Sequence, residues 1–345
     1  MKLTFVVVMA IVMVYSFTGD RPAVTEKIIY INIGCHDERE GWLIGLKDQL
    51  QARGYQLEQK KYFDKTDDAY LYVSLDVKKY NLPVLYKHKD KSILVMFEPP
   101  SVVPESYKIE YHEPFVRIYT WHDELVDNRK YYKFFYSCKQ PMIDDIKPFG
   151  SKKLCVLINA NKKSKYSSEL YSERKRVIDF YQDNHPDDLD LYGRGWDAKK
   201  YTMYKGFGGD TIAMLSTYKF CICYENIADQ PGYITEKIFN AFAAGCVPVY
   251  WGAPNITDYI PKTCFVDRRD FGSDAAVYEH MKNMSEQVYQ RYLENIKTYL
   301  TSPEAQPFAA GNYVPFFVSI ILQAERACYG SRGPISYKRC ALSLQ

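Results

Sequence analysis

No stretch of this sequence carries a strong charge of one sign. Lys and Arg number 45 against 42 Asp and Glu, a net charge of +3 over 345 residues. The lysines are scattered rather than striped, which argues against a nucleic-acid partner. Zinc-type ligand spacings, internal repeats and low-complexity tracts are also missing. No apolar run reaches the roughly 20 residues a bilayer span requires. Leu3–Phe17 comes nearest; preceded by Lys2 and followed by Gly19-Asp20-Arg21-Pro22, it reads as a secretory targeting segment, either a cleaved signal or a short signal-anchor. The stretch Tyr313–Tyr329 reads as an amphipathic or buried helix whose apolar core is too short to span. What is plentiful is apolar residue, 47% of the chain, sufficient for two globular domains. The 32 tyrosines offer sugar-stacking surfaces, although a compositional bias shared with lysine explains them more simply.

Strand and helix signals alternate along the chain. Lys27–Ile33 reads as a strand, Trp42–Arg53 as an amphipathic helix stopped by Gly54, and Ser92–Phe97 and Lys153–Asn159 as further strands. Such alternation implies parallel sheets in an α/β fold. The break Lys147-Pro148-Phe149-Gly150-Ser151 sets a boundary. The predicted division is a targeting segment over 1–19, an N-terminal domain over 20–150 and a C-terminal domain over 151–345.

Residues 218–252 carry the most information. Phe220–Tyr224 is a short apolar strand that ends on Glu225 and Asn226, followed by a loop containing Pro231 and Gly232. A helix should begin near Tyr233 or Ile234, with Ile234, Ile238, Ala241 and Phe242 toward the core, and stop at Gly245 before a strand over Cys246–Tyr250. Ligands of open α/β sheets bind at the carboxyl ends of strands, and a helix N-terminus offers free N–H groups to a phosphate. Lys237 is out of place in a first helical turn, where a cation opposes the dipole by about 0.3–1 kcal/mol, unless an anion sits there. In the N-terminal half, the apolar run Ile93–Phe97 ends on a second carboxylate, Glu98, and is stopped by Pro99 and Pro100.

Tyr224-Glu225-Asn226, Tyr233-Ile234-Thr235-Glu236-Lys237 and Val247-Pro248-Val249 resemble the signature of the family 10 glycosyltransferases, the α1,3/α1,4-fucosyltransferases. The similarity continues through Trp251-Gly252-Ala253-Pro254, Tyr259-Ile260-Pro261, Cys264–Asp267 and Asp270-Phe271. The segments around Glu98 and Asp123-Glu124-Leu125 are also similar to the family's. The resemblance implies a GT-B-like arrangement, two Rossmann-like domains facing across a cleft, and inverting transfer of fucose from GDP-fucose to an oligosaccharide or glycoprotein hydroxyl. By position it implies Glu98 as general base, Asn226 and Tyr233 near the diphosphate, Lys237 on phosphate and Glu236 on the ribose hydroxyls, with Glu225 among the donor-binding residues. It also implies an arginine in the first helix of the second domain, for which Arg176 is the first choice and Arg174 the fallback.

With a lysine and an arginine to neutralise the diphosphate, no cofactor is required; stimulation by a divalent cation stays open, and Asp188-Leu189-Asp190 has the form of a metal-binding Asp-x-Asp. The readings kept beside this one are a transferase of another GDP-sugar and an inactive carbohydrate-binding homologue. The acceptor cannot be read, because the segment between Cys35 and Asp90 matches nothing legible. The resemblance favours a Golgi membrane protein with a lumenal catalytic domain, secretion after signal cleavage being the alternative. Asn255 and Asn283 head glycosylation sequons. Of the nine cysteines, Cys221 and Cys223 read as buried thiols, and Cys328 with Cys340 is the first choice for a bridge.

Overall fold

The computed structural model describes residues 27–33 and 41–330. The apolar segment Leu3–Phe17 and Cys340, the expected partner of Cys328, lie outside them.

Two all-parallel sheets organise the chain. The first contains β1 (Lys27–Asn32), β2 (Tyr55–Gln59), β3 (Leu71–Leu75), β4 (Ser92–Met96), β5 (Arg117–Thr120) and β6 (Tyr131–Lys133), in the order β2-β1-β3-β4-β5-β6. Every residue of β3 and β4 is buried, as expected of parallel strands covered on both faces. One face packs against α1 (Gly41–Gln51) through Leu43, Leu46 and Leu50. The other packs against Phe63, Phe115 and the α2 helix (Leu82–Lys87).

The second sheet contains β7 (Lys153–Ile158), β8 (Leu189–Tyr192), β9 (Tyr218–Tyr224), β10 (Val247–Trp251) and β11 (Val266–Asp267), in the order β11-β10-β9-β7-β8. Its helices are α3 (Tyr171–Asn184), α4 (Thr211–Leu215), α5 (Glu236–Ala243), α6 (Asp274–Lys282) and α7 (Glu286–Thr301). The chain runs from β7 out to β8 and then returns to the other side of β7 for β9. That reversal creates a crevice at the carboxyl ends of β7 and β9, where such sheets take ligands.

One helix boundary differs from the sequence reading. The helix α5 begins at Glu236 rather than at Tyr233 or Ile234, because Gly232 adopts φ +85° and Thr235 remains extended. Gly245 does end it, at φ +61°; a Cβ there would lie 2.2 Å from the side chain of Ile146.

The larger difference is α8 (Tyr313–Tyr329). Its apolar stripe of Phe317, Ile320, Ile321 and Ala324 joins the core of the first sheet, and Trp42 of α1 stacks on Phe317 with ring centroids 5.0 Å apart. Glu325 fixes the docking by accepting hydrogen bonds from Lys27 Nζ (2.6 Å), Tyr70 OH (2.6 Å) and Tyr55 OH. The last described helix therefore packs with the N-terminal sheet, not with the domain that precedes it in sequence. No helix among the described residues is long and apolar enough to cross a membrane.

Candidate active site

At the β7/β9 crevice lies a cavity of about 570 Å³ lined by Asn159, Lys162, Tyr171, Arg194, Asn226, Glu236 and Lys237, among others, large enough for a nucleotide-sized ligand. Arg174, on α3, closes it from behind. Its guanidinium donates to Tyr224 O from Nε (3.1 Å) and Nη2 (2.6 Å), to Asn159 Oδ1 (3.1 Å) and to Asn226 Oδ1 (3.0 Å), tying the ends of both strands together. Arg176 is elsewhere: it is exposed and paired with Glu173 and Asp274. Two residues along a helix turn the side chain through about 200°, so only one of these arginines can point at the crevice. The first choice from sequence was the wrong one for that position.

Glu225 is likewise not where a ligand could touch it. It is fully buried, and its carboxylate accepts from Thr235 N (2.9 Å), Thr235 Oγ1 (2.9 Å) and Lys237 Nζ (3.0 Å). It serves as the anion at the start of α5, and it accounts for the lysine in the first turn. Burial works against the charge on Lys237, but Glu225 and Glu236 more than compensate and hold its pKa above the ordinary lysine value. Crowding in the cleft pushes Glu236 up, yet Lys237 and a backbone N–H outweigh it, so Glu236 stays ionised below the usual range. Its side chain remains 54% exposed and free to accept from a ligand's hydroxyls. Asn226 donates to Tyr233 OH at 3.2 Å. Tyr233 itself is buried, its ring 4.6 Å from that of Trp121 in the first sheet's core.

The first sheet brings Glu98 to the opposite edge of the cleft. Glu98 is half-buried, and among the described residues no hydrogen bond or ion pair engages its side-chain oxygens. Its charge reaches into the second domain: burial raises the pKa of the Tyr233 and Tyr171 hydroxyls, and Glu98 adds to the effect at both.

A polar clasp fixes the two halves. Asp123 accepts from Lys133 Nζ, from Tyr259 OH (2.6 Å) and from Asn255 Nδ2 (2.8 Å), while Asn255 Oδ1 accepts from Gly232 N (2.9 Å). Burial pushes Asp123 up, but these donors outweigh it and hold its carboxyl below the usual range. Gly232 must lack a side chain, since a Cβ would lie 2.3 Å from Trp121 O. The clasp occupies the Asn255 amide nitrogen, the atom a glycan would take. Asn283 is exposed just past α6, its amide nitrogen donating, among the described residues, only within its own helix, to Glu279 O (3.0 Å) and Oε2 (2.9 Å). Asp188 and Asp190 are bound to Lys282 and Lys153, respectively. Among the described residues Cys328 has no disulfide partner, and it is half-buried. The sequence marks Asp123 and Tyr259 as parts of family-like segments and Asn255 as a sequon, but gives no sign that they meet.

Residues 150–310 match the C-terminal domain of glycosyltransferase family 10 (fucosyltransferase). The likeness to that family is carried by this C-terminal segment. Among curated relatives, a stretch of 69 residues is similar to the alpha-(1,3)-fucosyltransferase FucT of Helicobacter pylori, 41% identical over 20% of this chain and 14% of the relative. The chain is also similar to GDP-fucose protein O-fucosyltransferase 3 of Xenopus laevis, 34% identical over 24% of this chain and 18% of the relative. The chain thus matches less than a fifth of the length of either. Over nearly its whole length the fold is similar to a crystal structure of an alpha1,3-fucosyltransferase, with a TM-score of 0.54, 14% identity and coverage of 87% of this chain and 92% of the other. The fold is GT-B: the two Rossmann-like sheets and the cleft between them are the expected arrangement.

Proposed function

We propose that this protein transfers fucose from GDP-fucose to a hydroxyl of a glycan acceptor, with inversion at the anomeric carbon. The observation that carries the reading is the placement of Glu98, a carboxylate with no described protein partner, across the cleft from the cation-bearing end of β9 in a family 10 domain. Glu98 takes the acceptor's proton as the acceptor oxygen bonds to the anomeric carbon. The bond from that carbon to the phosphate oxygen breaks, and its electron pair leaves with GDP in an oxocarbenium-like transition state. Lys237, Asn226 and the N-terminus of α5 meet the charge that develops on the diphosphate, with Arg174 holding Asn226 in place; preformed donors of this kind supply much of a transferase's rate. Glu236 accepts from the ribose hydroxyls.

The α1,3 linkage is part of the proposal and is supported by the Helicobacter pylori relative. The Xenopus laevis relative supports a second reading in which the acceptor hydroxyl belongs to a protein. We further place the catalytic domain in the Golgi lumen, on the strength of Leu3–Phe17 as anchor or signal and of the exposed sequon at Asn283. The deciding experiment is to incubate soluble protein with GDP-fucose and a panel of glycan and folded-protein acceptors, following product and free fucose. Transfer names the acceptor. Hydrolysis alone shows a working donor site, and failure to bind GDP-fucose overturns the reading in favour of another GDP-sugar or a binding protein.

A further inference from the structure

We infer that Asp76 is a positioning residue for Glu98, its carboxylate gripping the backbone of the turn that presents the proposed base; the inference rests on the fucosyl-transfer reading above. Asp76 directly follows β3, beside the end of β4, and continues the ladder by donating its N–H to Val95 O at 2.9 Å. There the backbone adopts φ +60°, a conformation that a non-glycine residue seldom takes and that Asp and Asn tolerate best. The side chain is 3% exposed. Oδ1 accepts from Phe97 N (2.8 Å), Glu98 N (3.1 Å) and Ser106 Oγ (3.4 Å), and Oδ2 from Glu98 N (3.3 Å).

The rest of the turn is held with equal care. Phe97 O accepts from Trp121 Nε1 (3.0 Å) and from Tyr136 OH, and Glu98 O accepts from Tyr107 OH (2.9 Å). All four backbone polar atoms of Phe97 and Glu98 are thus engaged, while no described partner engages the Glu98 carboxylate. A buried carboxylate that accepts from three donor groups and bonds no cation among the described residues is an expensive way to build a loop. A base that must be aimed to a fraction of an ångström gives it a purpose.

Burial raises the Asp76 pKa to about 7, with the two backbone N–H groups and Lys78 opposing and Glu98 adding to the rise. The groups facing it are Glu98, Lys78 and the hydroxyls of Tyr107, Tyr136 and Ser106. The N–H and O–H donors favour the ionised form, so the grip on Glu98 is tightest above neutrality and relaxes as pH falls.

The test compares the wild type with Asp76→Asn, which keeps shape and backbone preference, and with Ser106→Ala, which removes one donor to the carboxylate. For each, kcat and acceptor KM for transfer are measured across pH 5–9 together with GDP-fucose binding. Asp76→Asn should lower kcat about 10- to 100-fold, leave acceptor KM and donor binding unchanged, and replace the rise of kcat through about pH 7 with one at lower pH. Ser106→Ala should move that rise to higher pH, because the ionised carboxylate loses a donor. An Asp76→Asn variant with wild-type kcat and pH profile overturns the inference, as does one that loses kcat and donor binding together. Should Asp76→Asn not fold, a Ser106→Ala profile superimposable on the wild type overturns it instead. A wild type that neither binds GDP-fucose nor transfers from it removes the underlying reading, and this inference with it; a transferring wild type with indifferent variants removes the inference alone.

Discussion

The two edges of the cleft each contain a buried carboxylate just past a strand end, and the two are treated in opposite ways. Glu225, after β9, has the Lys237 ammonium 3.0 Å away and the α5 backbone capped beneath it. Asp76, after β3, receives only N–H and O–H donors among the described residues, and its pKa is pushed up to about 7. The pairing with Glu225 and Glu236 holds Lys237 protonated, whereas a buried carboxylate without a bonded counter-charge sits close to titration. The donor side is therefore electrostatically fixed and the base side adjustable. That division suits the proposed reaction, whose leaving group is always anionic but whose base must be ionised at the working pH.

The contrast can be broken from either side. The largest effect should come from Glu98→Gln, which removes the proposed base: kcat for transfer is expected to fall by about 10²- to 10⁴-fold with GDP-fucose affinity, read by calorimetry, unchanged. Near-wild-type turnover would remove Glu98 from the mechanism. Next is Lys237→Ala, which leaves Glu225 buried and unpaired; a loss of about 3–5 kcal/mol in denaturant unfolding is expected, with weakened GDP binding. An unchanged GDP affinity would show that Lys237 serves Glu225 alone.

For Asp76, the unfolded chain releases its proton near pH 3.8 and the folded one near pH 7. The folded state binds more protons between those values, so this contribution to stability is fully present below about pH 4 and is lost as pH climbs through about 7. Asp76→Asn abolishes that slope, and the variant should gain on the wild type by up to about 4 kcal/mol across the window, as measured by urea unfolding at stepped pH. A constant gap between the two would refute it. Asn255→Ala should cost about 1–3 kcal/mol by stranding Asp123 and Gly232 N. Smallest is Arg176→Ala, expected within about 0.5 kcal/mol and without effect on GDP binding, in contrast to Arg174→Ala.

Much of this was legible beforehand because it is local. The β9-α5-β10 unit showed in its apolar runs and in Gly245, and Glu98 stood out as a carboxylate closing an apolar run before two prolines. Asp76 closes the run Leu71–Leu75 in the same way and was open to the same reasoning, but no proline marked it. The choice between Arg174 and Arg176 depended on the rotational phase of α3, which three consecutive basic residues conceal. Glu225, beside Asn226 at a strand end, reads as donor-binding; its burial is set by Thr235 and Lys237, ten and twelve positions on. The clasp joins residues 123, 133, 232, 255 and 259, a separation no local pattern encodes.

The return of α8 to the first sheet has a consequence for how the chain is made. The N-terminal half leaves the ribosome first, yet its core lacks Phe317, Ile320 and Ile321 until almost the whole chain has been synthesised. The intervening family 10 domain can complete its own core earlier, so the half that begins first finishes last. A stop codon after residue 310 would leave the family 10 domain intact in sequence and strand an open apolar flank on the half that carries Glu98.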